Sequence, residues 1–497
     1  MASVATDIKN NPMISSLLLL TSLLAADPAA NNIGSQKQLF IDYKLIGKSH
    51  GDIKLQAHSP KRDGRVLIRP DQPWEKGGAI TVYSSVLKDK GKVRIWYDSI
   101  VPYGKGPYEH NRRVCYAESV DGVHFTKPKL GLFSVNGSKA NNVVMPGVIG
   151  GCAVWIDPNA PAQHRYKSQS KVYPTAQFHM HSSPDGIHWE LYKRLKIGPG
   201  GWDTQSIVLW DPRVARYVMY TRRWVRLKPR ITSFRTVRRL ESTDLTTWTN
   251  ETVAMQADSV DLATYKTANK QSPVDFYGAD VFRYENVYIM LSQRFWHWQK
   301  LPKRKGLAPS TFDVELAVSR DGVRFMRPTR RPFMAVGPDG RFDSRFVWAM
   351  PDPIRMGDEL WIYYAGTNRD HDGVIDPKGG KRLSGISKAT LRLDGFMSVR
   401  AGYQGGQFTT PPMRFTGKQL QINANAGGGG SVAVEILRAD GTPYTGYGLS
   451  HAVSSNGNGV RLPVRWKLGT NVAPLAGKKV RLRFHLKNCD LYAFQFK

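Results

Sequence analysis

Cysteine is nearly absent from this chain of 497 residues, which carries only Cys115, Cys152 and Cys489. So few cysteines exclude a disulfide scaffold. Neither they nor the twelve histidines show the clustered spacing of a transition-metal site. Cys115 and Cys152 fall in neighbouring repeats, where they could pair, although buried free thiols fit as well. Acidic residues are also scarce, 40 Asp+Glu against 71 Lys+Arg, for a formal net charge of +31. That surplus suits an anionic partner. No helix-turn-helix, zinc-finger or RNA-recognition signature accompanies it, so no nucleic-acid partner is expected. An anionic glycan, a charged cell wall, or no partner at all remain open. Long apolar runs are missing except for Ile14 to Ala26, thirteen residues that are too few to span a bilayer. That stretch fits the apolar part of a secretory leader over residues 1–30, with Lys9 as its one preceding positive charge. Export, without a stable membrane span, is therefore expected. Sustained helical periodicity is absent too. With 46 Gly, 30 Pro and 11 % aromatics, the chain reads as turn-rich and all-β.

What is present is a repeated seven-residue signature. It reads S-V-D-G-V-H-F at Ser119 to Phe125 and S-P-D-G-I-H-W at Ser183 to Trp189. It returns as S-T-D-L-T-T-W at Ser242 to Trp248 and S-R-D-G-V-R-F at Ser319 to Phe325, with a degenerate L-D-G-F at Leu393 to Phe396. Each copy follows an alternating strand, and Asp-Gly supplies the positive φ of a tight hairpin. Repetition at this interval implies one supersecondary unit reused. Five such units of four strands predict a five-bladed β-propeller over residues 39–400, each signature joining the third and fourth strands of its blade. Leu39 to Gly47 is the expected ring-closing strand. From Gly405 the pattern changes to short alternating strands with Gly/Asn/Pro turns, which predicts a C-terminal antiparallel β-sandwich over residues 405–497.

In a propeller the first strand of each blade lines the axis, so the segments leading into those strands meet at one mouth. These segments are Pro73 to Gly78, Gly201 to Ser206, Pro273 to Asp280 and Arg341 to Phe346, while the second blade offers only Gly150 and Gly151. They place the carboxylates of Glu75, Asp203, Asp275 and Asp343 at equivalent positions. Trp74, Trp202, Gln205, Tyr277 and Arg345 stand beside them as walls. Paired carboxylates and stacking aromatics are what glycosidic cleavage requires. Asp203 is assigned as base or nucleophile and Glu75 as acid. His110, on the long loop from Val101 to Arg113, is a further candidate for substrate contact. The run R-F-W-H-W at Arg294 to Trp298 is read as a sugar platform or as packing against the sandwich. No cofactor is expected, although converging oxygen ligands would suit a structural calcium ion.

Several stretches carry a resemblance: L-F-I-D at Leu39 to Asp42, C-Y-A-E-S-V-D-G at Cys115 to Gly122, and G-S-K-A-N-N-V-V at Gly137 to Val144. D-T-Q at Asp203 to Gln205, D-E-L-W-I-Y-Y at Asp358 to Tyr364 and D-L-Y-A-F-Q-F at Asp490 to Phe496 complete it. With them the chain resembles the five-bladed propeller glycosidases of glycoside hydrolase families 32, 43 and 68, and most closely family-32-like proteins of planctomycete-type bacteria. The invertase W-x-N-D-P-N-G and the paired E-C motifs of that superfamily are missing. The resemblance implies catalytic carboxylates on inner strands of early blades, positions that Glu75, Asp203 and Asp275 match by register. It implies a secreted glycoside hydrolase acting on an oligo- or polysaccharide. The alternatives are a glycoside phosphorylase, with Arg222, Arg223 and Arg345 on phosphate, and a non-catalytic carbohydrate-binding propeller.

Overall fold

A computed structural model describes residues 31–100, 112–172, 177–198, 204–227, 231–264, 274–298, 310–371, 373, 378 and 380–497. Within these the chain is almost entirely β, with one short α-helix at Ser259–Thr264. The first antiparallel sheet runs Ala79–Asp89, Lys92–Ile100, Arg112–Ser119 and Val143–Pro146. A second comprises Val148–Ile156, Tyr166–Val172, Gln177–Ser183 and Glu190–Arg194. The third comprises Ile207–Asp211, Arg216–Leu227, Ile231–Ser242 and Thr249–Met255. A fourth set (Val274–Tyr284, Val287–His297, Ser310–Ser319) and a fifth (Phe346–Ala349, Glu359–Thr367, Ser384–Arg392) form one larger sheet. The single parallel pair Phe312 and Phe346 joins them.

The buried cores show how these sets are ordered. Tyr97 and Ile80 of the first set pack with Tyr363 and Ile386 of the fifth, and Trp96 of the first packs with Tyr166 of the second. Met180 of the second meets Met219 of the third, Tyr220 of the third meets Met290 of the fourth, and Ile289 of the fourth meets Ile362 of the fifth. Every set thus buries both faces against two neighbours, in a closed cycle.

The repeated signature explains part of that order. In each full copy the Asp side chain accepts from the backbone N–H groups two and three residues on, as Asp185 does from Ile187 and His188. The Ser hydroxyl caps the turn from inside. The turn glycines also dock on the adjacent set. Gly186 O accepts from Trp96 Nε1 at 2.6 Å, Gly122 O from Tyr363 at 2.7 Å and Gly322 O from Tyr220 at 2.5 Å. At the degenerate copy, Tyr284 donates to Asp394 at 2.7 Å. The signatures therefore fasten each strand set to the one before it.

Leu39 to Gly47 does not close the cycle. Gln38–Leu39 pairs with Cys489–Phe496 of the C-terminal region. Phe40 enters that region's core, while Leu39 and Ile41 enter the core between the fourth and fifth sets. The outer strand of the fifth set is instead Lys61–Arg62, paired at Ala389 and Thr390. From Met397 on, strands Met397–Thr409, Leu420–Asn425, Ser431–Leu437, Asn458–Pro463, Arg481–Lys487 and Cys489–Phe496 belong to an eight-stranded sheet that takes in Gln38–Leu39 and Ser49–Ala57. It encloses its own core of Phe408, Phe484, Phe494 and Phe496. Among the described residues, no helix is long and apolar enough to cross a membrane. Cys115 and Cys489 are free and buried.

Candidate active site

Three inner strands carry irregularities at the same level. Ala79–Asp89 has two extra residues between Ile80 and Ser84, Val148–Ile156 has two between Ile149 and Ala153, and Val274–Tyr284 has one, Tyr277. Bulges twist a strand and re-aim its side chains. Here they turn Tyr83 and Tyr277 into a shared aromatic cluster with Trp348 of the fifth set. Tyr83 and Trp348 meet edge-on with centroids 5.1 Å apart, and Tyr277 lies 6.0 Å from Trp348. Burial pushes the Tyr83 hydroxyl well above its usual range.

Polar groups surround this cluster. From the third sheet, the guanidinium carbons of Arg222 and Arg235 stand 4.6 and 4.7 Å over the Tyr277 ring. Asp275, 3 % exposed, accepts from Arg235 Nη1 at 2.8 Å, and His297 Nε2 lies 3.2 Å from the same oxygen. The other oxygen of Asp275 and the Trp348 indole N–H have no partner among the described residues. The Tyr277 hydroxyl lies 3.2 Å from His371 Nε2. Gln205 donates to the carbonyl of Ser84, beside Tyr83, at 2.8 Å. Groups from the first, third, fourth and fifth sets thus meet at the leading ends of the inner strands. Buried polar atoms without a protein partner at such a place are able to bond a ligand.

The sequence-predicted residues divide accordingly. Asp275, Tyr277 and Gln205 belong to the cluster. Glu75 does not: it sits on the turn Pro73–Glu75, fully buried, accepting from Tyr97 at 2.7 Å and from Lys127 Nζ at 2.7 Å. Trp74 donates to Asn142 at 2.9 Å and packs against the core between the fifth and first sets. The bulge accounts for this. Counting back from Ala79 takes the chain outward, because it is Tyr83, not the lead-in, that reaches the centre. Asp343 is 2 % exposed and accepts from Arg62 at 3.0 Å and Tyr364 at 3.2 Å. Arg345 pairs with Asp339 at 2.8 Å rather than with Asp343. Asp203, Trp202 and His110 lie outside the described residues. Sequence reasoning passed over Tyr83, Arg235, Trp348 and His371. His297 lay within the R-F-W-H-W run, whose alternation could have given it. Phe295 and His297 face the cluster, while Trp296 and Trp298 stack on each other at 5.0 Å on the opposite face.

The other end of the inner strands is different. A cavity of about 320 Å³ there is lined by Leu87, Val154, Val208, Val281 and Asp352, among others, from all five sets. Apart from Asp352 and Arg283 its wall is uncharged. Among the described residues no group of three His, Cys, Asp or Glu could hold a metal ion.

No family model matches the chain. Among curated proteins it is 26 % identical over 145 residues to an uncharacterized protein of Mycobacterium tuberculosis, found in two strains. The match takes in 28 % of this chain and 45 % of the relative, so the chain spans about half the length of the curated relatives it matches. The resemblance to planctomycete-type proteins gains nothing from it. Solved structures similar to the chain include a glycoside hydrolase (16 % identity, TM-score 0.44, covering 67 % of this chain and 92 % of that one). Another is a β-1,2-mannobiose phosphorylase from Listeria innocua (13 %, TM-score 0.46, 68 % and 97 %). A third is a thermostable family-43 glycoside hydrolase (15 %, TM-score 0.42, 65 % and 93 %). These likenesses are too distant to carry residue roles to this chain.

Proposed function

We propose that the five strand sets are blades of a propeller closed by Lys61–Arg62, that residues 405–497 form a supporting sandwich, and that the axial cluster cleaves a glycosidic bond. The observation that carries this reading is the convergence of Asp275, Arg222, Arg235, Tyr83, Tyr277 and Trp348 on one end of the inner strands. Aromatic walls suit the apolar faces of a sugar ring. The ion pair with Arg235 suits Asp275 to take a proton from water or to attack, rather than to supply one. Asp203, two residues before Gln205, is proposed as the second carboxylate. Export and an anionic glycan substrate, read from the leader segment and the net charge of +31, belong to the same proposal. The test is a panel of neutral and anionic oligosaccharides incubated with wild-type protein and Asp275→Asn, with product analysis. Turnover by the wild type and a loss of 10²-fold or more in the variant are expected, on the order of a lost acid/base group. Equal turnover by both would remove Asp275 from the chemistry.

One observation favours a phosphorylase as the second reading. Two guanidiniums stand over Tyr277 beside the carboxylate of Asp275, and Arg-rich pockets suit phosphate. An inverting phosphorolysis needs only one carboxyl, because phosphate itself attacks. Turnover that requires added phosphate and releases a sugar phosphate would decide for it.

A further inference from the structure

The second sheet contributes nothing described to the axial cluster, yet it holds a concentration of unpartnered polar groups. Its central strands read S-Q-S at Ser168 to Ser170 and H-M-H at His179 to His181. Alternation puts both serines on one face of their strand and both histidines on one face of theirs. The antiparallel register then sets Ser168 opposite His181 and Ser170 opposite His179, so all four side chains share a face. Val154, paired with Ser168, and Tyr166 lie on that face and pack against Trp96 and Tyr116, so it looks into the gap toward the first sheet.

Ser168 Oγ, Ser170 Oγ and His181 Nδ1 have no hydrogen-bond partner among the described residues, and the two serines are 0 % and 2 % exposed. Each such orphan is destabilising if left dry. Three within one cross-strand quartet are a set of groups waiting for something to bond. From this arrangement we infer that Ser168, Ser170, His179 and His181 form a second saccharide subsite, for the hydroxyls of a neutral sugar unit beyond the one held at the axis. The inference rests on the carbohydrate reading above and extends it.

The chemistry of the quartet selects that ligand. Burial lowers both imidazoles, His181 to about 4, so both rings are neutral at physiological pH. A neutral imidazole offers one donor and one acceptor, and a serine hydroxyl offers both. Sugar hydroxyls match such a mixed set. A metal ion matches it poorly: two histidines are its only strong ligands, and the charge of Arg194 acts on His179. An anion would find no cation among the four groups. The quartet's strand Tyr166–Val172 is also paired directly to the inner strand of its sheet. Ser170 lies across from the two-residue bulge of the inner strand, between the pairs Gln169–Ala153 and Lys171–Ile149.

The experiment compares disaccharides with tetrasaccharides of gluco, manno, xylo, arabino and galacturono configuration, on wild type and on the double variant Ser168→Ala, Ser170→Ala. Calorimetry reads affinity, thermal melting confirms the fold, and ¹⁵N-edited NMR follows the His181 ring. Tetrasaccharide affinity is expected to fall about tenfold or more in the variant, with disaccharide affinity unchanged, as for two lost hydrogen bonds. The His181 Nδ1 resonance of the wild type is expected to move on adding tetrasaccharide and not disaccharide. Equal tetrasaccharide binding by both proteins with a still His181 signal, or an equal loss for both lengths, overturns the subsite and leaves the carbohydrate reading standing. A wild type that binds no saccharide of either length overturns both.

Discussion

Arg62 donates to Asp343, 281 residues further along the chain, at 3.0 Å, and that bond fastens the first residues of the strand cycle to the last. Arg62 belongs to a two-residue strand that completes the fifth set, and Asp343 also accepts from Tyr364 within it. A buried carboxylate with these partners serves closure. Asp343→Ala strands the Arg62 charge, and losing one partner of a buried pair costs about 3 to 5 kcal/mol. The expected result is a lower denaturation midpoint, measured by urea titration, with proteolytic nicking appearing first near Lys61. An unchanged midpoint would mean that the strand is held by its backbone bonds alone.

Glu75 supports the first sheet in a comparable way. Its oxygens take up Tyr97, Lys127 and the backbone N–H of Gln72, and Lys127 is itself almost enclosed. Glu75→Ala removes the buried partner of that ammonium, which keeps Asp71 and the Arg69 carbonyl, and is expected to destabilise the fold by about 1 to 3 kcal/mol. Its effect on turnover, measured on the folded fraction and corrected for unfolding, should be small. A large loss of kcat in fully folded Glu75→Gln would return Glu75 to the chemistry.

The repeated turns were legible because Ser, Asp and Gly each do a local job there, and local jobs leave a local spelling. The strands that flank them were legible for the same reason. Ring closure was not. Leu39 to Ile41 is apolar at every position, which says that it is buried but not against what, and it proves to feed two cores at once. The strand that does complete the fifth set, Lys61–Arg62, is charged and two residues long, so no hydrophobic pattern announces it. One member of the axial cluster, Tyr83, was hidden by a bulge. A bulge is a property of pairing register, and a single strand's sequence does not record how its neighbour aligns. Tyr277, three residues into its strand, was found because it fell within Pro273 to Asp280, the segment read as a lead-in. Tyr83, four residues into its strand, was passed over.

Two glycines test the docking role of the turns. Gly186 has φ +76°, and a Cβ there would lie 2.7 Å from Trp96 Cζ2, inside a closed core. Gly91 has nearly the same φ, +78°, with nothing within 4 Å. Gly91→Ala should cost about 1 to 2 kcal/mol, the strain of a left-handed backbone. Gly186→Ala should cost about 1 to 3 kcal/mol more, because the Trp96 ring must move. Thermal melts of the two variants side by side give the difference, and equal losses would show that the turn does not rely on close contact with Trp96.

Asp352 gives the fold a pH dependence of definite sign. Its residue is exposed at the cavity at the far end of the inner strands, but protein from all five sets crowds around that cavity, and this surrounding mass raises its carboxyl from 3.8 to about 6. Asp280, fully buried on the fourth set's inner strand, is raised well above its usual range by burial too, with Asp352 adding to the shift. Between roughly pH 4 and 6 the folded chain keeps a proton on Asp352 that the unfolded chain has lost. Stability from this group is therefore complete below about pH 4 and is lost as the pH rises through 6. Asp352→Asn removes the term, and Asn tolerates the φ of +59° found there. The melting temperature of the variant relative to wild type should climb between pH 4 and pH 7, and Asp280→Asn should shift in the same direction. A difference that stays constant across that range would mean that Asp352 titrates like a carboxylate in open water.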